Sequence, residues 1–167
     1  MAKSRSNIKE FGYQTSKGEE LILKALADAR HILKESDNAG EHLKNWAKNI
    51  MVQSTDFLIE TEKMERNLSG LSHADLDELI RKTLGLENEI SKTLKDYFSR
   101  LTFLLNQLQG LNPPLKSIDL EPFLGKIFSN RREVLSTADP LRQIIEKLYR
   151  IKTISVLEKE IRSQHLG

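Results

Sequence analysis

Cysteine is absent from this sequence of 167 residues. The chain therefore has no disulfide framework, no thiol nucleophile and no thiolate ligand for a metal. Glycine and proline are also few, with 8 and 4 residues. This composition favours helix, and no alternating pattern typical of a strand competes with it. No apolar run approaches the roughly 18 residues of a membrane span, so we expect no contact with a membrane.

Motifs of catalysis and of metal binding are equally scarce. The histidines include no pair spaced four apart, the spacing that puts two ligands on one face of a helix. Only the run from Asp28 to His31 approaches the Glu-x-x-His motif of a di-iron bundle, which needs that motif twice. There is no Gly-rich phosphate loop and no Gly-x-Ser-x-Gly turn. We therefore expect a protein that is not an enzyme and that binds no cofactor and no metal.

Two long apolar ladders dominate the middle of the chain. Their members follow one another at alternating steps of four and three residues, which keeps one face of an α-helix turned toward a partner. Further leucines widen the second ladder, as expected for a helix that touches several neighbours in a bundle. The first ladder consists of Leu43, Ala47, Ile50, Ser54, Phe57, Thr61, Met64 and Leu68, and the second of Ile80, Thr83, Glu87, Ile90, Leu94, Tyr97, Leu101, Leu104, Leu108 and Leu111.

The four residues from Ser69 to Ser72 predict a tight connection between the ladders. Gly70 favours the left-handed conformation that ends many helices. Ser72 and Asp75 match a capping box at the start of the next helix. So short a link forces the two helices to be antiparallel neighbours. At about 1.5 Å per residue the second helix would be about 55 Å long, so we expect an elongated molecule.

The N-terminal part of the chain leaves two interpretations open. Residues 1–16 are polar and basic and predict a flexible tail, without the apolar centre of a secretory signal. An apolar stripe predicts helix over 17–69, but residues 37–40 have a loop-like composition. The seven-residue phase nevertheless continues across them into the first ladder. Residues 17–69 are therefore either two helices with a break near 37–40, or one helix that is continuous or kinked at Gly40.

Proline divides the last third of the chain. Asn112-Pro113-Pro114 ends the helix of the second ladder, which is predicted over 73–110. Apolar residues then predict a short helix over 120–136. Asp139-Pro140 is a strong start signal, because proline suits the first helical position, and predicts a last helix over 140–164.

The predicted fold class is all-α, an elongated antiparallel helical bundle or coiled-coil hairpin with four to five helices. Charged residues make up 30% and hydrophobic residues 38% of the chain, a balance typical of a folded soluble protein. Neither an internal repeat nor a low-complexity segment is present, so residues 17–167 are predicted to form a single helical-bundle domain.

Three apolar residues lie off the ladders and are candidates for a partner surface. Val52 and Ile59 are seven residues apart at the outermost heptad position of the first ladder, and Phe103 lies off the main stripe of the second. Such residues either pack on a second buried face or dock another chain, and both interpretations stay open. Polar residues in ladder positions, such as Ser54 and Glu87, are also expected where a partner or water meets the helix.

Basic residues are mildly enriched toward the C-terminus. Residues 111–167 carry 10 basic and 7 acidic side chains, within a net charge of +2 for the chain. This excess is a candidate nucleic-acid patch, although acids are interspersed and no aromatic–basic interleaving marks a base-stacking surface. A solvated helix face is the competing interpretation. The candidate patch comprises Lys126, Arg131, Arg132, Arg142, Lys147 and Arg150.

Long heptad-bearing helices without catalytic motifs favour a function in molecular contact. The leading hypothesis is a helical scaffold or adaptor subunit that binds other proteins, or further copies of itself, in a larger assembly. A small helical subunit that binds nucleic acid through the basic patch is one alternative, and a secretion chaperone or inhibitor protein is another. Without cysteine or a signal segment, we expect an intracellular, cytoplasmic protein.

Overall fold

Three α-helices make up the computed structural model, which describes residues 16–166. Helix α1 covers Ser16–Glu65, α2 covers His73–Gln109, α3 covers Ser117–Leu166, and a 3-10 turn covers Leu68–Gly70. The all-α prediction is confirmed, since no strand occurs among the described residues. The prediction of four to five helices is wrong, because this part of the chain forms three. The predicted tail over 1–16 lies outside the described residues, except for Ser16.

Helix α1 is continuous through residues 37–40, so the interpretation as one helix is correct. Ser36 and Gly40 are buried, and buried residues follow one another along α1 at steps of three and four. Loop-like residues cost only up to about 1 kcal/mol each in a helix interior, and packing overrides that cost. The phase of the apolar pattern therefore predicts α1 better than local composition does.

Helix α2 starts at a capping box, as predicted. The Ser72 backbone N–H donates to Asp75 Oδ2 at 3.3 Å, and the Asp75 N–H donates to Ser72 Oγ at 3.1 Å. The preceding turn differs from the prediction, because Gly70 lies in the 3-10 turn and its backbone is not left-handed. A Cβ at Gly70 would approach Asn67 Nδ2 to 2.5 Å, so a larger residue here would require the flexible Asn67 side chain to move.

Helix α3 continues through Asp139-Pro140, where the sequence predicts one helix to end and another to start. The predicted helices over 120–136 and 140–164 are therefore parts of one helix. A proline inside a helix removes one backbone hydrogen bond and costs about 3 kcal/mol. Leu141 and Ile144, directly after the proline, are buried, and burial of each contributes about 1.5–3 kcal/mol. Packing thus outweighs the local start signal.

The described residues belong to two compact units. Among the described residues, unit 1 combines 16–41 with Tyr97–Glu133. In it, Arg100 of α2 donates to Glu35 of α1 at 2.8 Å, and Asn130 of α3 donates to Asp37 of α1. Its buried apolar side chains are Ile22, Ala25, Ala29, Ile32, Tyr97, Leu101, Leu104, Leu108, Leu115 and Ile127.

Among the described residues, unit 2 combines His42–Asp96 with 134–166. Trp46, the single tryptophan of the chain, is half-buried against its core. Lys152 donates to Glu87 and Lys159 donates to Asp77. The residue numbers rise along α3 as they fall along α2, so the two helices are antiparallel in this unit. Its core consists of Ala47, Ile50, Leu58, Leu79, Ile90, Ala138, Leu141, Ile144, Leu148 and Ile151.

Polar residues in ladder positions lie inside unit 2 rather than on its surface. Ser54, Thr61 and Thr83 are all buried. The two threonine hydroxyls donate to backbone carbonyls one turn earlier in their own helices, at 3.0 and 2.9 Å. The expectation that a partner or water meets these positions is therefore wrong for these three residues.

Candidate interaction surfaces

The outer face of α1 in unit 2 carries the first two residues of the predicted partner surface. Val52 is 64% exposed and Ile59 is 53% exposed. They lie one heptad apart, about 10 Å along the helix, on the side opposite the buried Ala47, Ile50 and Ser54. Of the two interpretations from the sequence, packing on a second buried face is not observed in unit 2.

Phe103, the third predicted residue, lies in unit 1 beside an open groove between α1 and α2. The groove has a volume of about 540 Å³. The Arg100 guanidinium lies over the Phe103 ring at 5.4 Å and pairs with Glu35, whose other carboxylate oxygen is 3.4 Å from His31 Nε2. The ring is half exposed, so a polar network borders an apolar surface that is open to solvent. The groove is further lined by Asp28, Ile32, Gln107, Gly110 and Leu111.

The basic residues singled out in the sequence are divided between the two units, three in each. All six are exposed. In unit 2, Arg150 pairs with Glu65 at 2.7 Å, so a carboxylate neutralises its charge locally. In unit 1, Arg131 and Arg132 form no ion pair or hydrogen bond with other described residues. The patch members are Lys126, Arg131 and Arg132 in unit 1, and Arg142, Lys147 and Arg150 in unit 2.

The part of α3 in unit 2 exposes large apolar side chains, including Leu157 and Ile161, which the sequence pattern places on the apolar stripe of the last helix. Val156 lines an open groove with Ile80 of α2, and Leu84, one turn further along α2, is exposed. Apolar residues therefore face solvent on both sides of this groove. The exposed members of α3 in unit 2 are Leu135, Tyr149, Val156, Leu157 and Ile161.

Two ion pairs join α2 and α3 in unit 2. Lys152 Nζ is 3.0 Å from Glu87 Oε2 and lies 4.9 Å from the centre of the Tyr149 ring. Lys159 pairs with Asp77 two turns further along α3. The groove lined by Val156 and Ile80 thus combines apolar side chains with one charged pair, Lys159 and Asp77, a composition common on protein-binding surfaces.

A signal for this surface is present in the sequence. Leu135, Tyr149 and Val156 fall on one series of seven-residue steps, with Arg142 at the remaining step. This series lies outside the phase of the buried residues of α3, and a bundle helix needs no second apolar stripe for its own packing. The signal in the sequence is therefore a second seven-residue series of mostly apolar residues beside the one that forms the core.

Neither a metal site nor a membrane span accompanies these surfaces in the described part of the chain. Residues 16–166 contain no group of three or more His, Asp or Glu side chains placed to hold a metal ion. None of their helices is both long and apolar enough to cross a bilayer. No protein-family model, curated protein or solved structure is significantly similar to this chain.

Proposed function

We propose that this protein is a non-enzymatic helical scaffold or adaptor that binds another protein through the outer face of α1 in unit 2. The observation that carries the proposal is the exposure of Val52 and Ile59. The core of unit 2 contains neither side chain. The packing of the unit therefore does not require apolar residues at these two positions. Adjacent apolar residues on an outer helix face commonly mark a docking site.

The spacing of Val52 and Ile59 defines the kind of partner. Two apolar side chains seven residues apart match the spacing of an amphipathic helix that repeats every seven residues. Lys48, Asp56 and Lys63 flank them and are exposed. Mixed charges beside an apolar pair favour orientation and choice of partner rather than non-specific adhesion. We therefore expect a helix of another intracellular protein as the partner.

Paired substitution of Val52→Asp and Ile59→Asp tests the proposal. Purified tagged chain is cross-linked in lysate, and captured proteins are quantified by mass spectrometry and then tested as purified proteins by calorimetry. We expect the double variant to lose the partner that the wild-type chain binds. Gln53→Asp, an exposed position about 100° around the helix from Val52, is the control and should retain it. Equal binding by the double variant would refute this surface.

Nucleic-acid binding is the second candidate, and the unpaired exposed guanidinium groups of Arg131 and Arg132 favour it. Contacts between such groups and phosphates make binding fall steeply with salt. The interspersed acids and the pairing of Arg150 with Glu65 weigh against it. Titration of a labelled oligonucleotide at low and high salt, with Arg131→Ala/Arg132→Ala as the comparison, separates the two candidates. Absence of salt-dependent binding at low salt would end the nucleic-acid hypothesis.

A further inference from the structure

Four residues of α3 in unit 2 form an exposed row, which we call the 135–156 stripe. It consists of Leu135, Arg142, Tyr149 and Val156, each seven residues after the previous one. All four are exposed, and Tyr149 is 57% exposed. Seven-residue steps keep them on one side of the helix over about 30 Å. Val156, the last residue of the stripe, also lines the groove toward α2 together with Ile80.

When two copies of the 135–156 stripe run in opposite directions, each apolar end faces the apolar end of the other copy, and arginine faces tyrosine in the middle. We propose that the stripe binds the same stripe of a second copy of this chain, with the two α3 helices antiparallel. Leu135 then packs against Val156 of the second copy, and Arg142 against its Tyr149. The two-fold axis passes between residues 145 and 146, so each contact occurs twice, as in an isologous dimer.

The contact between Arg142 and Tyr149 gives the pairing its specificity. Among the three arginines of α3 in unit 2, Arg150 and Arg162 are held by carboxylates or carbonyls. Arg142 forms no hydrogen bond or ion pair with other described residues. A guanidinium stacks favourably on an aromatic ring. Lys152 lies over the Tyr149 ring within the chain, so this ring already accepts a cation.

A parallel arrangement of the two stripes is disfavoured by the same residues. Arg142 would then face Arg142 of the second copy, and Tyr149 would face Tyr149. Like charges opposite each other in a helix pair oppose association. The antiparallel arrangement replaces that repulsion with two cation–aromatic contacts. The position of Arg142 therefore determines the direction of the pairing.

Glu146 provides a test of where the axis lies. This residue is exposed and follows the axis directly, so the two Glu146 carboxylates of the dimer lie near each other. Their repulsion opposes association, and Glu146→Gln should therefore strengthen the dimer by a few-fold at low salt. Gln143→Glu, about 100° around the helix from Arg142, should change the dimerisation constant much less.

Exchanging Arg142 and Tyr149 tests whether these two residues face each other in the dimer. Sedimentation velocity of the full chain should show a monomer–dimer equilibrium. Tyr149→Arg places arginine against arginine and should weaken the dimer by about tenfold or more, since two favourable contacts are lost. Adding Arg142→Tyr to that variant restores each pair in reversed order and should restore the dimer. Gln143→Arg adds the same charge outside the stripe and should leave the dimer intact.

Cysteine cross-linking tests the direction independently, because the chain contains no cysteine of its own. Glu146→Cys should be linked to its own copy by a short bismaleimide. Thr153→Cys should not be linked, because the two copies of this position would lie about 20 Å apart along the helices. Linking of Thr153→Cys but not of Glu146→Cys would overturn the antiparallel pairing. A chain that sediments as a monomer up to its solubility limit, with circular dichroism showing folded helices, would overturn the dimer.

Discussion

Lys152 Nζ lies 3.0 Å from Glu87 Oε2, and this pair joins α3 to α2 within unit 2. Both side chains are about one-fifth exposed. Glu87 occupies a position of the second apolar ladder, where a charge would otherwise be unfavourable. The ion pair explains how an acidic residue is accommodated there, because the neighbouring helix supplies the compensating charge.

Removal of one partner of this pair should destabilise unit 2. In Lys152→Met the Glu87 carboxylate stays half-buried without its cation, and we expect a loss of about 1–2 kcal/mol in the free energy of unfolding. Lys152→Arg keeps the charge and serves as the control. Chemical denaturation measures both, and a loss in Lys152→Arg equal to that in Lys152→Met would refute the role of charge.

Leu101 and Phe103 provide a matched pair of substitutions in unit 1. Leu101 is buried whereas Phe103 is half exposed. Leu101→Asp places an unpaired charge in the core and should destabilise the protein by more than about 3 kcal/mol, enough to unfold it. Phe103→Asp should change the free energy of unfolding by less than about 1 kcal/mol. Thermal denaturation followed by circular dichroism measures the stability of both variants. Equal destabilisation by the two substitutions would contradict the burial of Leu101 and the exposure of Phe103.

Substitution of Pro140 tests whether α3 is one continuous helix or two separate helices. Inside a helix, Pro140→Ala restores a backbone hydrogen bond and should raise the free energy of unfolding by about 1–3 kcal/mol. At the first position of a new helix, proline is favourable and the same change would be neutral or destabilising. Urea denaturation of the variant and of the wild-type chain measures the sign, and a decrease would contradict the continuous helix.

Ser54 has a buried hydroxyl that forms no hydrogen bond with other described residues. Ser54→Ala removes this polar group at little change in volume, and we expect the free energy of unfolding to rise by about 1 kcal/mol. Thr83 is the comparison, because its hydroxyl donates to the Leu79 carbonyl. Thr83→Ser should retain that bond while losing a methyl group, and should be destabilising. Chemical denaturation measures the free energy of unfolding of both variants. A change of the same sign in both would contradict the difference in hydrogen bonding between the two hydroxyls.

Glu78 provides a prediction about pH. A hydrogen bond from Arg81 lowers the pKa of the Glu78 carboxyl below its ordinary value, with additional attraction from the charges of Arg81 and Lys82. A carboxyl whose pKa is lower in the folded state stabilises that state above the unfolded pKa, and this stabilisation is lost as the pH falls through the folded pKa. NMR titration should show the Glu78 pKa rising in Arg81→Ala. An unchanged pKa in that variant would contradict the hydrogen bond.

The candidate surfaces were only partly predictable from the sequence. Val52 and Ile59 were recognisable because they fall on the heptad position opposite the core. Their exposure, however, depends on whether a neighbouring helix covers that position, which local periodicity does not contain. The 135–156 stripe was present in the sequence as a seven-residue series, but it stood out only once the core of unit 2 had been located.

The sequence by itself determined the helical class, the capping box at Ser72 and the phase of the buried residues of α1. These features depend on contacts between residues three or four apart, which the sequence contains directly. Tertiary structure decided that α3 continues through Pro140 and that Glu87 pairs with Lys152. Both outcomes depend on residues distant in the chain, because burial against other helices outweighs a local preference of a few kcal/mol.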